Sequence, residues 1–186
     1  MVVNSSHRKS IAVFCASASG ARPEYRAAAE ELGRALASRG LGLIYGGARV
    51  GLMGAVADAA LAAGGHVVGV IPHVLVDKEV AHQGITELHV TSTMHTRKAL
   101  MAEKADAFLI LPGGYGTLEE MLEAVTWAQL GLHAKPVILI NTANFWDTFL
   151  TFLDSTVHAG FLQPKNRHLL QLAANAQQAV NLVARS

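Results

Sequence analysis

A single cysteine, Cys15, stands in the 186 residues, so the chain cannot close an internal disulfide. That excludes a disulfide-stapled secreted scaffold and fits a reducing, cytoplasmic setting. Charge is scarce as well. Only 16% of residues are charged, and 15 basic side chains against 14 acidic ones leave a net charge of +1. A nucleic-acid binder needs a basic field that this composition does not supply, so no nucleic-acid partner is expected. Long apolar runs are missing too. The most apolar region, residues 55–71, is broken by Asp58, Gly64, Gly65 and His66, whereas a membrane span needs about 20 uninterrupted apolar residues. The start, MVVNSSHRK, has no apolar stretch after its charges and does not read as a signal peptide. There is no internal repeat, low-complexity tract or linker.

What is present is apolar: 51% of the residues, much of it alanine, enough for one well-buried domain of ordinary size. Residues 1–9 are expected to be a flexible N-terminus and 10–186 one domain. Short β-rich runs alternate with helical periods throughout. Strands are expected at 10–16, 41–45, 66–71, 86–91, 107–111 and 136–141, with a further short run at 169–173. Helices are expected at 23–39, 51–63, 94–105, 117–130, 146–159 and from 176 onward. Strands that are continuous apolar runs are covered on both faces, as in parallel sheets. Strict alternation then predicts an α/β fold with a doubly wound, mainly parallel sheet. Residues 72–84 form the longest irregular piece and the expected flap.

Ligands of such sheets bind beyond the carboxyl ends of the strands, and four of those ends are suggestive. They carry CASASGARPEY, YGGARVGLMG, STMHTRKALM and LPGGYGTLEE. Glycines at a strand-to-helix turn can be purely steric, and for the cluster Gly46, Gly47, Gly51 and Gly54 the steric and ligand readings are evenly matched. The stretch Gly113, Gly114, Gly116 is more telling. Bare amides at a helix start face an anion directly, aided by the helix dipole. Thr117 can cap that helix and offer a hydroxyl. Glu119 and Glu120 are expected in the first turn, where the dipole favours one carboxylate by roughly 0.3–1 kcal/mol. A carboxylate beside an anion site makes sense if it acts on a group next to the phosphate, such as a nucleotide's sugar. Met94, Arg97, Lys98 and Met101 share one helical face, expected to turn inward. Buried cations need partners, and the open alternatives are snorkelling to solvent or an anion between strands four and five.

In this order the residues resemble the Lonely Guy (LOG) family, the cytokinin riboside 5′-monophosphate phosphoribohydrolases, long labelled lysine decarboxylase-like. The family hallmark PGGxGTxxE stands here as PGGYGTLEE, 112–120, and its partner motif MHERK as MHTRK, 94–98. FCASASGARPEY, YGGARVGLMGAVADAALAAGG, GVIP, KEVAHQGITELHV and VTWAQLGLHAKP extend the likeness from about residue 13 to 164. The resemblance implies a single Rossmann-like domain that hydrolyses the N-glycosidic bond of a nucleoside 5′-monophosphate. Free base and ribose 5-phosphate would be the products. It implies Arg97 and Glu120 as the catalytic pair, and Gly114, Gly116 and Thr117, with Gly113, as the phosphate cradle. Ser17, Gly47, Met94 and Lys98 would line the nucleotide pocket, with no cofactor and no metal. It also implies a homodimer. Thr96 departs from the family's glutamate, and Ala16 and Ala48 from its glycines, so a shifted base preference is expected.

Two other readings stay open. One is a nucleotide-binding module without turnover, since the same glycine turns serve carriers and sensors. The other, a pyridoxal-phosphate lysine decarboxylase, lacks any companion signature around Lys98, Lys104 or Lys135. His73, His82, His89 and His95 match no metal-ligand spacing and are expected on the surface or in loops. Trp127 and Leu130 are expected in the core or at a dimer contact.

Overall fold

The computed structural model describes residues 8–76 and 81–185. Residues 1–7 of the expected N-terminal tail, and residues 77–80 of the expected flap, lie outside the described residues. Seven strands form one sheet: β1 (Ser10–Phe14), β2 (Gly42–Tyr45), β3 (Val67–Pro72), β4 (Glu87–Thr91), β5 (Ala107–Ile110), β6 (Val137–Ile140) and β7 (Leu170–Ala173). Their order is β4-β3-β2-β1-β5-β6-β7, and all pairs are parallel. The apolar runs explain this arrangement. Every residue of β2, β3, β5 and β6 is buried, as strands covered on both faces require. The edge strand β4 is only partly covered.

Seven helices supply the cover: α1 (Pro23–Ser38), α2 (Gly51–Ala62), α3 (Met94–Lys104), α4 (Tyr115–Gln129), α5 (Asp147–His158), the single-turn α6 (Pro164–Arg167) and α7 (Ala176–Arg185). On one face Leu32 and Leu36 of α1, Leu52 and Val56 of α2, and Val180 of α7 pack into a common core. On the other, Met101 of α3, Met121 and Ala124 of α4, and Trp146 at the start of α5 do so. Pro23 opens α1, where its missing N–H costs nothing. Thr93 opens α3 by accepting from the Thr96 amide, while the Thr96 hydroxyl accepts from the Thr93 amide, both at 3.1 Å. This reciprocal capping box gives Thr96 a structural task at the position where a glutamate was expected.

The order of strands reverses beside β1, whose neighbours are β2 and β5. The crevice of a doubly wound sheet opens at that reversal, between the carboxyl ends of the two strands. The loops leaving them are in contact there. The Leu111 amide donates to Phe14 O at 3.0 Å, and the Ala16 amide to Pro112 O at 3.3 Å.

Three features differ from expectation. α4 begins at Tyr115, with Gly114 as its cap residue, so Thr117 lies inside the first turn and does not cap the helix. Glu119 and Glu120 consequently fall in the second turn, and the first holds no acidic residue. The short α6 and the 3-10 turns His73–Leu75 and Thr142–Asn144 were not anticipated, since such pieces carry too few residues to show a period.

Candidate functional site

The buried polar or charged residues among those described are His82, Arg97, Lys98, Thr117 and Glu120. Three of the five, Arg97, Thr117 and Glu120, meet at the β1/β5 reversal. Burying charge is costly unless it is paired, and here the pairing is direct. Arg97 Nη2 lies 3.3 Å from Glu120 Oε1, with both side chains over nine-tenths buried. Arg97 Nε donates to the Val70 carbonyl within β3, at 3.1 Å, and Nη1 points to Met94 Sδ at 3.8 Å. The guanidinium therefore does not snorkel to solvent. Its fork is shared between a carbonyl of β3 and a carboxylate on α4.

Both residues line an open crevice of about 330 Å³, within the usual size range of ligand pockets. Cys15, Ala16, Ser17 and Ala18 form the side that follows β1, and Gly114, Tyr115, Gly116 and Thr117 the side that follows β5. Met53, Leu75 and Met94 supply an apolar wall. Burial, reinforced by the nearby Glu120 charge, pushes the Cys15 thiol far above its ordinary pKa against a smaller opposing pull from Arg97. Cys15 is thus a neutral wall residue and not a nucleophile, because the thiolate is the reactive form.

The glycines divide into two groups. A Cβ on Gly113 would stand 2.0 Å from Thr117 Oγ1, so this glycine is needed to seat Thr117. Gly114 and Gly116 have nothing within 4 Å of where a Cβ would be, and neither has a positive φ. Nothing in the fold demands that they lack side chains. Their bareness keeps the start of α4 open to the crevice, the arrangement that receives an anion. The start of α2 is different. Its Leu52 and Met53 amides already donate to Ala16 O at 3.1 and 3.3 Å, so the second glycine cluster serves the protein's own backbone.

The structure brings Ser17, Met94, Arg97, Gly114, Gly116, Thr117 and Glu120 together around one crevice. Two residues expected along it stand apart. Gly47, at φ +78°, turns its carbonyl to the His82 amide at 2.9 Å, and the Lys98 ammonium is held by Glu119 and Glu123. His82, expected on the surface or in a loop, is in an irregular segment but buried, with Nε2 2.9 Å from Asp58 and Nδ1 accepting from the Gly84 amide. Gly46, for which the sequence left the steric and ligand readings evenly matched, is settled on the steric side. A Cβ there would meet Arg97 Nη2 at 2.4 Å and Met53 Sδ at 2.7 Å. Its signal, a glycine pair after β2, was visible, but the partner it makes room for was not. Among the described residues no group of three or more His, Cys, Asp or Glu stands close enough to hold a metal ion. No helix among them is long and apolar enough to cross a membrane.

A parallel doubly wound sheet with a bare helix start and a buried cation–carboxylate pair at its reversal point defines a Rossmann-like α/β protein with its candidate ligand site at that reversal. A family model described as "Possible lysine decarboxylase" matches residues 53–183. Cytokinin riboside 5′-monophosphate phosphoribohydrolase LOG7 of Arabidopsis thaliana is 50% identical over 172 residues, 92% of this chain and 79% of that protein. The phosphoribohydrolase LOG of Oryza sativa subsp. japonica is 50% identical over 170 residues, covering 91% and 70%. The chain belongs to this LOG family of lysine decarboxylase-like proteins. Among solved structures, the molybdenum cofactor carrier protein of Chlamydomonas reinhardtii superposes with a TM-score of 0.71 at 24% identity, over 96% of this chain and 97% of that one. The molybdenum cofactor binding protein of Rippkaea orientalis gives 0.71 at 23%, over 97% and 98%. At that identity the likeness is one of fold.

Proposed function

We propose that this protein hydrolyses the N-glycosidic bond of nucleoside 5′-monophosphates, AMP or its N6-modified cytokinin forms, to free base and ribose 5-phosphate. Its relatives named for that reaction support the reading at about half identity over nearly the whole chain. The observation that carries it is local: Glu120 is buried against Arg97 at 3.3 Å, on the wall of a crevice whose floor is the open start of α4. The 5′-phosphate takes the amides around Gly114 and Gly116 and the Thr117 hydroxyl, which sets the sugar beside Glu120. Loss of the base develops positive charge on the anomeric carbon. Glu120 stabilises that charge and accepts a proton from the attacking water, while the departing base nitrogen takes a proton from solvent in the open crevice. Glu120 then returns its proton to solvent, so that one water is added across the C–N bond. A guanidinium stays charged at neutral pH and is a poor acid. Arg97 therefore orients Glu120 and balances charge on the leaving side. Met53, Leu75 and Met94 offer the apolar wall against which a base can lie.

The test follows base and ribose 5-phosphate by chromatography after incubation with AMP and N6-modified monophosphates, with free nucleosides as controls. The monophosphates are expected to turn over and the nucleosides to remain intact. Glu120→Gln should still bind AMP and lose roughly 10²–10⁴-fold in turnover. Unchanged turnover removes Glu120 from the mechanism. Tight AMP binding with no base release by the native protein would instead fit a nucleotide-binding module.

The proposal treats residues 10–186 as one hydrolase domain and includes a homodimer. Leu122 on α4, Leu130 at its C-terminal cap and Leu132 just beyond stay 43–68% exposed, an apolar face that a second copy would cover. Light scattering should give twice the chain mass, and Leu130→Asp should reduce it. A reducing, cytoplasmic location is also proposed, supported by the lone free thiol of Cys15.

A further inference from the structure

Two neighbouring residues of α3 reach two neighbouring residues of α4, and they diverge in direction. Arg97 meets Glu120 on the crevice side. Lys98, although 91% buried, points the other way, with its ammonium on the Glu119 carboxylate and 2.8 Å from Glu123. Glu119 and Glu123 are one turn apart on the same face of α4. Lys98 borders a small cavity with Phe14, Phe108, Trp127 and the back of Glu120, and it does not border the crevice.

We propose that Lys98 is a positioning residue: its two carboxylate partners lock α4 to α3 behind Glu120, and this clamp holds Glu120 against Arg97 and the anomeric carbon. The inference rests on the phosphoribohydrolase reading above. Three points carry it. The Lys98 side chain is buried while its partners Glu119 and Glu123 keep 54% and 26% of their side chains exposed, so the ammonium is committed to two carboxylates on the outer side of α4. The clamp engages α4 one residue before and three after Glu120, so it fixes both the rotation and the height of that turn. Phosphate binding by Lys98 would require its ammonium to abandon both carboxylates and cross to the far side of Glu120. Burial alone would lower the Lys98 pKa, but Glu119 and Glu123 outweigh it, so the ammonium is held above its ordinary value.

The test uses Lys98→Met, the pair Glu119→Gln/Glu123→Gln, all three together, and Lys98→Arg. A clamp misplaced by about an ångström costs on the order of 100-fold in turnover. Lys98→Met and the glutamine pair should each lose kcat on AMP by that order, with calorimetric AMP affinity kept within about threefold. Combining them should cost no more than either alone, since they break one unit. Lys98→Arg, which keeps the charge and both partners in reach, should recover most of the loss. If Lys98→Met weakens AMP binding by about tenfold or more while the glutamine pair does not, Lys98 is a phosphate ligand and the proposal falls. Unchanged kcat in both also overturns it. Should Lys98→Met fail to fold, the glutamine pair carries the same two readouts. Should the native protein release no base, the hydrolase reading fails, and the affinity comparison still decides whether Lys98 is a ligand.

Discussion

The guanidinium of Arg97 and the carboxylate of Glu120 stand 3.3 Å apart although they belong to different helices, 23 positions apart in the chain. The contact is fixed from a third element, because Arg97 Nε is also tied to the Val70 carbonyl of β3. A lysine at 97 keeps the charge but has one point of contact in place of a planar fork, so it cannot hold Val70 and Glu120 together. Arg97→Lys is expected to lower kcat for AMP by on the order of 10²-fold. The melting temperature should fall far less than in Arg97→Ala, which strips the buried carboxylate of its cation. Steady-state kinetics and a thermal scan on the two variants check this. Near-native turnover in Arg97→Lys would mean that charge alone suffices.

Gly113 and Gly116 should respond to alanine in opposite ways. Gly116 is a helical residue with open space where the methyl would go. Replacement there gains helix propensity of up to about 1 kcal/mol while pushing a methyl into the place proposed for the phosphate. Gly116→Ala should melt no lower than the native protein yet bind AMP at least about tenfold more weakly. Gly113→Ala forces its methyl onto Thr117, 2.0 Å away, and should cost about 1–3 kcal/mol of stability. Paired thermal and calorimetric measurements read both effects, and unaltered AMP affinity in Gly116→Ala would move the phosphate away from α4.

Much of this was legible in the sequence, for identifiable reasons. Apolar runs such as VILI at β6 and the helical period of α1 carry their own structure, so element order and sheet class could be read directly. The crevice followed, because a doubly wound sheet has one reversal point and PGGYGTLEE abuts it. What escaped was direction. Sequence spacing puts Arg97 and Lys98 on one inward face, and both are indeed buried. That they turn to opposite sides of Glu120 depends on how α3 and α4 are placed over the sheet, where Met101, Met121 and Phe108 share one core. The start of α4 was misplaced by two residues because Tyr115-Gly116 is a poor helical signal that tertiary structure overrides. The burial of His82 was invisible for the same reason, since its partner Asp58 lies on a helix 24 positions earlier.

Gly46 sets the position of Arg97 without touching substrate. A methyl there would lie 2.4 Å from Nη2 and 2.7 Å from Met53 Sδ, so the guanidinium must move away from Glu120. Gly46→Ala should lower kcat by roughly 10-fold or more and leave the affinity for ribose 5-phosphate, whose phosphate the proposed mechanism seats on α4, near its native value. Fluorescence or calorimetric titration with ribose 5-phosphate, beside kinetics on AMP, separates the two. A loss confined to ribose 5-phosphate affinity would contradict this role for Gly46.

The crevice wall also fixes how stability responds to alkali. Burial, then Glu120, raise the Cys15 thiol pKa far above its ordinary value of about 8.5. Tyr45 is likewise raised, by burial and then by Asp58 and Cys15, above its ordinary value of about 10. A group whose folded pKa is raised costs nothing while both states keep the proton. Above the unfolded value only the unfolded chain releases it, so the native state loses ground as pH climbs. Between about pH 8.5 and 10 the Cys15 contribution alone should erode stability by about 1.4 kcal/mol per pH unit, near 2 kcal/mol in all. Tyr45 steepens the loss only beyond about pH 10. Urea unfolding of native protein and Cys15→Ala across this window measures the difference: the native midpoint should fall steadily, and that of Cys15→Ala should stay nearly level until tyrosine titrates. Parallel curves for the two proteins would show that the thiol is not buried beside Glu120 in solution.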